Sequence, residues 1–237
     1  SIIMRSAGCI VNDLIDTDID KKVIRTKNRA LASSKISIKN ALILLLTLLV
    51  IGFLILIQLN YEAIILGIVI TPLIALYPLA KRFFILPQFI LALTYNWGCF
   101  IGWAAIGSNI PFSSICILYT SLIFWTLTYD TIYATQDENE DKDLNLYSST
   151  LLFGSKKVII LNIMIITKYF LIIFYGTSLD FGILFKILII TIFIINLIDI
   201  NFIWKNKPEK ASSYFSRNNY YGISLLFSII MGSHFNV

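Results

Sequence analysis

Apolar residues along this chain come in long unbroken runs, not in the alternation of a half-buried strand or the stripe of a soluble helix. Seven runs approach the length of a bilayer-crossing helix, about 20 residues. They cover 41–59, 62–79, 85–106, 110–129, 158–178, 181–203 and 220–236. Backbone groups in hydrocarbon must be satisfied within the segment, so runs of this length predict helices. A transmembrane barrel would instead show alternating segments of about ten residues. The pattern predicts an all-α polytopic membrane bundle. No long Gly/Ser/Pro linker, repeat or low-complexity tail divides residues 1–237, which read as one domain. The opening SIIMRSAGCIV is too short to span and lacks a signal-peptide layout. It reads as the end of a helix that begins upstream.

Polar positions are concentrated rather than scattered. Hydrophobic residues make up 57% of the chain and charged residues 14%, with a mean hydropathy of +0.81. Yet NDLIDTDID (12–20) and YDTIYATQDENEDKD (129–143) hold ten of the fourteen acids. All nineteen Lys and Arg except Arg5, Lys168 and Lys186 lie in 21–39, 81–82, 142–157 and 205–217. The loops near 60, 108 and 180 have none. With seven spans these two sets of segments fall on opposite faces, and the positive-inside rule makes the basic set cytoplasmic. Both acidic runs share that face. Lys186 can snorkel from near a span end, whereas Lys168 lies deeper. Cys9, Cys99 and Cys116 form no CxxC pair and read as buried reduced thiols. A single histidine, His234 near the C-terminus, removes Ser-His-Asp, HExxH and His-rich metal chemistry.

On a helix, Asp13, Asp16 and Asp20 share one face, Asn12 borders it and Asp18 points away. Asp130, Tyr133, Asp137 and Asp141 step by three, four and four, a second stripe. Stacked like charges repel, the more so where the dielectric falls at a membrane mouth. Two such stripes on one face persist if a cation lies between them. Oxygen ligands without His or Cys select hard ions, Mg²⁺ or Ca²⁺. Neither run is an EF-hand: the required Gly and Glu positions hold Lys21 and Lys27 in one, Lys142 and Ser148 in the other. Mg²⁺ characteristically takes one or two carboxylates while substrate phosphates complete its shell. Arg25 and Arg29 after the first run, with Lys81 and Arg82 at a span end, are the cations a phosphate would need. No Walker-type loop exists, which argues against nucleotide hydrolysis.

Four blocks now stand in order: MRSAGCIVNDLIDTDIDKKVIRTKNR, YPLAKRFFILPQ, YDTIYATQDENED and FSRNNYYG. Together they resemble the UbiA-type intramembrane aromatic prenyltransferases, most of all the 4-hydroxybenzoate polyprenyltransferase branch. That branch carries NDxxDxxxD and YDTxYAxxDxxxD, and the likeness runs from residue 4 to 235. The chain departs where NRALASS replaces the usual NRPLPSG and where Tyr147 stands for a common Lys. The resemblance implies nine transmembrane helices around a cavity with both Asp motifs at its cytoplasmic mouth. The first helix and most of the second would then be absent from this chain.

It further implies Mg²⁺-dependent transfer of a polyprenyl group from its diphosphate to the meta carbon of 4-hydroxybenzoate, in ubiquinone biosynthesis, at a bacterial inner membrane. Catalysis would fall to Asp16, Asp20, Asp130, Asp137 and Asp141. These, with Asn12 and Asp13, would hold the metal. Arg25, Arg29, Lys81 and Arg82 would bind the diphosphate, and Arg5, Asn96 and Tyr133 the aromatic acceptor. Asn96 fits an interhelical hydrogen bond equally well. Menaquinone-, haem- and tocopherol-type acceptors stay open, as does an inactive remnant whose cavity opens to lipid. A divalent-cation transporter would place ionisable groups deep in several spans; only Lys168 and Asp199 fit that pattern.

Overall fold

The computed structural model describes residues 2–107, 109–206 and 211–234, and every regular element among them is helical. Ser108, residues 207–210 of the last basic segment and residues 235–236 of the seventh apolar run lie outside the described residues. The order is α1 (Ile2–Asp20), α2 (Ile38–Leu56), α3 (Tyr61–Leu76), α4 (Ala80–Phe83), α5 (Pro87–Asn96) and α6 (Gly98–Ile106). There follow α7 (Phe112–Ala134), α8 (Glu138–Asp143), α9 (Ser149–Phe153), α10 (Lys157–Ser178), α11 (Ile183–Asn206) and α12 (Ala211–His234).

Local chemistry sets several boundaries. The Ser37 and Asn60 side chains accept from the Asn40 and Ala63 amides, N-capping α2 and α3. Pro78 lies in the 3-10 turn between α3 and α4, and Pro87 occupies the first position of α5, where its missing N–H costs nothing. Gly107 ends α6 at φ +61°, a conformation glycine adopts without a Cβ clash.

Among the described residues six stretches are long and apolar enough to cross a membrane, which makes this an integral membrane bundle: Ile38–Leu56, Tyr61–Phe83, Pro87–Ile106, Phe112–Ala134, Ser149–Ser178 and Ile183–Phe202. The seventh expected span corresponds to α12, which is long enough but starts nine residues before its apolar run, with Arg217, Asn218 and Asn219 inside it. α7 is the central post. It packs most closely on α10 and also meets α5, α6 and α12, while α10 and α12 both flank α11. Leu161, Ile165, Ile172, Phe185, Ile189 and Ile200 are fully buried in the resulting core. Gly176 lets α10 approach the Phe185 ring so closely that any Cβ would collide with it. On the outside, α2 buries only Ala41 and presents Leu42, Ile43, Leu46 and Phe53, as a lipid-facing helix does.

Two expectations change. Cys9 is exposed on α1, and Cys99 and Cys116 are half-buried rather than buried; all three are free. Lys168 gains a physical account. Its ammonium is 1% exposed, lies over the Tyr169 and Trp125 rings at 4.1 and 4.8 Å, and donates to Asn196 Oδ1 at 3.2 Å. Two π faces and one carbonyl replace its water.

Candidate functional site

The acidic face of α1 is where its spacing puts it. Asp16 and Asp20 are buried, Asp13 is half-buried and Asp18 is exposed, pairing only with Lys21. The second stripe differs. α7 stops at Ala134, a turn covers 135–136, and Asp137 becomes the N-terminal boundary residue of the short α8 at φ −107°. Asp130, Tyr133, Asp137 and Asp141 therefore do not lie along one continuous helix. Turn bonds cross the break, the Gln136 and Asp137 N–H groups donating to Tyr133 O and Ala134 O (both 3.2 Å), and the Tyr147 N–H donates to Lys81 O (2.8 Å). The latter docks the segment after α8 beside α4.

Each expected phosphate-binding cation reaches an acid of these runs. Arg25 bridges 112 residues: Nε donates to Asp137 Oδ1 at 2.8 Å, and a second nitrogen pairs with Oδ2. Its third contact is Nη1 to the Tyr133 hydroxyl at 2.7 Å, with the guanidinium carbon 4.9 Å from that ring's centroid. Arg29 Nη1 lies 3.0 Å from both Asp13 Oδ1 and Asp20 Oδ2. Lys81 Nζ is 2.6 Å from Asp16 Oδ2. Arg82 donates to the Ile15 carbonyl at 2.7 Å and stands 3.6 Å from Asp16 Oδ1. The two runs thus meet at one end of the bundle.

Asn12, Lys81, Asp130, Asp137 and Asp141 line a common cavity of about 180 Å³ with Tyr77, Gln88 and Tyr147. Tyr77 donates to Asn12 Oδ1 at 3.5 Å, and Gln88 Oε1 accepts from the Ser149 N–H at 3.0 Å. Sequence reasoning missed these three as lining residues. The signal available was their position in or beside YPLAKRFFILPQ and the second acidic run. Burial first, and the nearby Asp137 charge after it, push the Asp141 carboxyl up to about 6. Asp13 is also raised, chiefly by burial, with Arg29 pulling the other way.

Among the described residues no three His, Cys, Asp or Glu side chains are grouped closely enough to hold a metal alone. The donor set still suits Mg²⁺, which needs only one or two carboxylates when phosphates complete the shell. Asp16 Oδ1 is buried without a hydrogen bond, Arg82 standing beyond bonding reach at 3.6 Å, and a buried carboxylate oxygen so weakly met leaves room for a closer cation.

The three expected acceptor residues diverge. Arg5 is exposed on α1, two turns before Asn12. Tyr133 faces Arg25, as described. Asn96 spends its amide nitrogen between helices, donating to Ala92 O (2.8 Å), Thr126 Oγ1 (2.8 Å) and Leu122 O (3.1 Å). That ties α5 to α7.

A family model described as the UbiA prenyltransferase family matches residues 1–226. Over 181 residues the chain is 41% identical to a 4-hydroxybenzoate octaprenyltransferase of Francisella tularensis subsp. novicida, covering 76% of this chain and 63% of that protein. Over 154 residues it is 44% identical to the mitochondrial 4-hydroxybenzoate polyprenyltransferase of Drosophila pseudoobscura pseudoobscura, covering 65% and 39%. The chain thus spans less than two thirds of these relatives. Solved structures share the fold, two of them as follows. One is a UbiA homolog from Aeropyrum pernix (TM-score 0.80, 23% identity, 97% of this chain, 85% of that one). The other is a UbiA homolog from Archaeoglobus fulgidus bound to GPP and Mg²⁺ (TM-score 0.71, 18% identity, 96% and 83%).

Proposed function

The chain belongs to the UbiA prenyltransferase family, and from that premise we propose that it is a Mg²⁺-dependent 4-hydroxybenzoate polyprenyltransferase serving ubiquinone biosynthesis. The observation that carries this reading is the ion pair between Arg25, just after the first acidic run, and Asp137 of the second, 112 residues on, beside a cavity lined by further carboxylates. The names of the curated relatives support the acceptor, and the GPP and Mg²⁺ held by a neighbour of the same fold support the donor and the ion.

In this reading Asn12, Asp13, Asp16, Asp20, Asp130, Asp137 and Asp141 hold the ion and its diphosphate. Arg25, Arg29, Lys81 and Arg82 hold the diphosphate oxygens. Bound Mg²⁺ supplies electrostatic stabilisation of the charge that gathers on the leaving diphosphate. The allylic C–O bond breaks with its electron pair going to that diphosphate. The acceptor's ring carbon attacks the allylic cation and then gives up its proton, which the released diphosphate can take. Tyr133 presents an aromatic face at the entrance, and Arg5 offers a guanidinium for the acceptor carboxylate. Asn96, its amide committed to Thr126 and two carbonyls, contributes by fixing α5 against α7. The apolar bundle keeps water from the cation and accommodates the polyprenyl tail. We place the acidic mouth on the cytoplasmic side of a bacterial inner membrane, because the basic segments cluster there.

The test is prenyl transfer in membranes containing the protein, with labelled 4-hydroxybenzoate, a polyprenyl diphosphate and either Mg²⁺ or EDTA. Product that forms with Mg²⁺ and disappears with EDTA is the expected result. Undiminished turnover in EDTA refutes the metal claim, and absence of product with Mg²⁺ refutes the reaction.

A further inference from the structure

Resting on that reading, we propose that Phe215 is a positioning residue for prenyl transfer: the platform that, through Tyr133, keeps Arg25 seated on Asp137. None of the acidic or basic residues named for the mouth lies on α12, yet α12 reaches it through this ring. The Phe215 centroid lies 4.7 Å from that of Tyr133, tilted by 40°, and 5.7 Å from that of Tyr129, near edge-on at 70°. Tyr129 and Tyr133 are one turn apart on α7, so one ring from α12 braces both.

The neighbours of Phe215 on α12 hold it in place. Tyr214, 1% exposed, accepts from Asn196 Nδ2 at 3.0 Å. Arg217 donates to both oxygens of Asp199 at 3.0 and 2.8 Å, and the Tyr221 hydroxyl donates to the same carboxylate at 2.9 Å. Asn218 Oδ1 accepts from Trp125 Nε1 at 2.7 Å. Thus residues just before and just after Phe215 are bolted to α11 and α7. A side chain fixed so firmly can orient another.

Asp137 needs that orientation from outside its own helix. α7 has ended at Ala134, and Asp137 begins a six-residue helix, so no long helix fixes its direction. Its carboxylate is set instead by Arg25, and Arg25 is set by Asp137 together with the hydroxyl and face of Tyr133. Removing Phe215 frees the Tyr133 ring to rotate, takes away the third contact of Arg25 and loosens the group that meets the diphosphate.

The experiment measures steady-state transfer in membranes for Phe215→Leu, Phe215→Tyr, Arg25→Gln and the Phe215→Leu/Arg25→Gln double variant. Phe215→Leu should raise KM for the prenyl diphosphate about tenfold and raise KM for the aromatic acceptor by much less. Phe215→Tyr, which keeps the flat ring, should restore the wild-type value. In the double variant Phe215→Leu should add nothing to Arg25→Gln, since both act through one contact. A loss in kcat alone, no rescue by tyrosine, or effects that multiply would overturn the proposal. If the wild-type protein transfers no prenyl group, the functional reading itself has failed. The positioning claim is then decided by thermal unfolding of the same four variants, where coupling between Phe215 and Arg25 supports it and additivity overturns it.

Discussion

Lys81 Nζ sits 2.6 Å from Asp16 Oδ2, an ion pair that fastens α4 to the last turn of α1. The carboxylate side chain is 2% exposed and the lysine 28%. Asp16 keeps one oxygen without a hydrogen bond, facing Arg82 at 3.6 Å.

Asp16→Asn should abolish transfer while leaving the protein inserted at normal abundance, as read by membrane fractionation and the prenyl assay. Lys81→Met should destabilise. Breaking a fully buried pair costs about 3–5 kcal/mol, and the partial exposure of Lys81 reduces the expected loss to about 2 kcal/mol. In the double variant no orphaned charge remains, and most of that loss should return. Thermal unfolding in detergent decides it; two independent, additive losses would mean the pair contributes no coupling.

Lys168 and Asn196 form a second pair worth separating. Asn196→Leu strips the buried ammonium of its carbonyl acceptor and the Tyr214 hydroxyl of its donor, and should cost about 3 kcal/mol, the scale of one hydrogen bond to a charged group plus one neutral bond. Lys168→Met should cost less than this, because removing a buried cation also removes its desolvation penalty. The opposite ranking in unfolding measurements would show that the ammonium itself holds α10 to α11.

Asp141 sets a pH dependence. Its carboxyl is raised to about 6 by burial and by Asp137. A raised folded value means the folded protein binds this proton more tightly than the unfolded chain does. Without ligand, the group therefore favours the folded state at acid pH, and that contribution fades as pH rises through about 6. Mg²⁺ requires the carboxylate, so its affinity should weaken as pH falls through the same region, with protons released on binding. Calorimetric titration at several pH values checks both, and Asp141→Asn should flatten the profile.

Asn96→Ala should lower the unfolding temperature, by about 1 kcal/mol in stability, and leave KM for the aromatic acceptor unchanged. A selective rise in that KM would return Asn96 to the substrate pocket.

The one-sided acidity of α1 was legible because its carboxylates repeat at helical intervals within an unbroken helix. The break after Ala134 was not, since steps of three, four and four suit a continuing helix and no Gly or Pro marks the stop. Contacts such as Arg25 with Asp137 depend on where two chain segments converge, which no local spacing encodes. The start of α12 was hidden for another reason. Its first nine residues look like loop by hydropathy, but Tyr214, Arg217 and Asn218 spend their polarity on α11 and α7 rather than on water.

Arg25, Arg29, Lys81 and Arg82 already rest on Asp137, Asp13, Asp20 and Asp16. At these four acids a lone cation must evict a base, and a lone pyrophosphate must evict an acid from its base; either forfeits one bond for each it makes there. Arriving together, they let the latch change hands without stranding a charge. Ion and anion should therefore raise each other's affinity by one common factor, so that this protein takes up a salt rather than either of its halves.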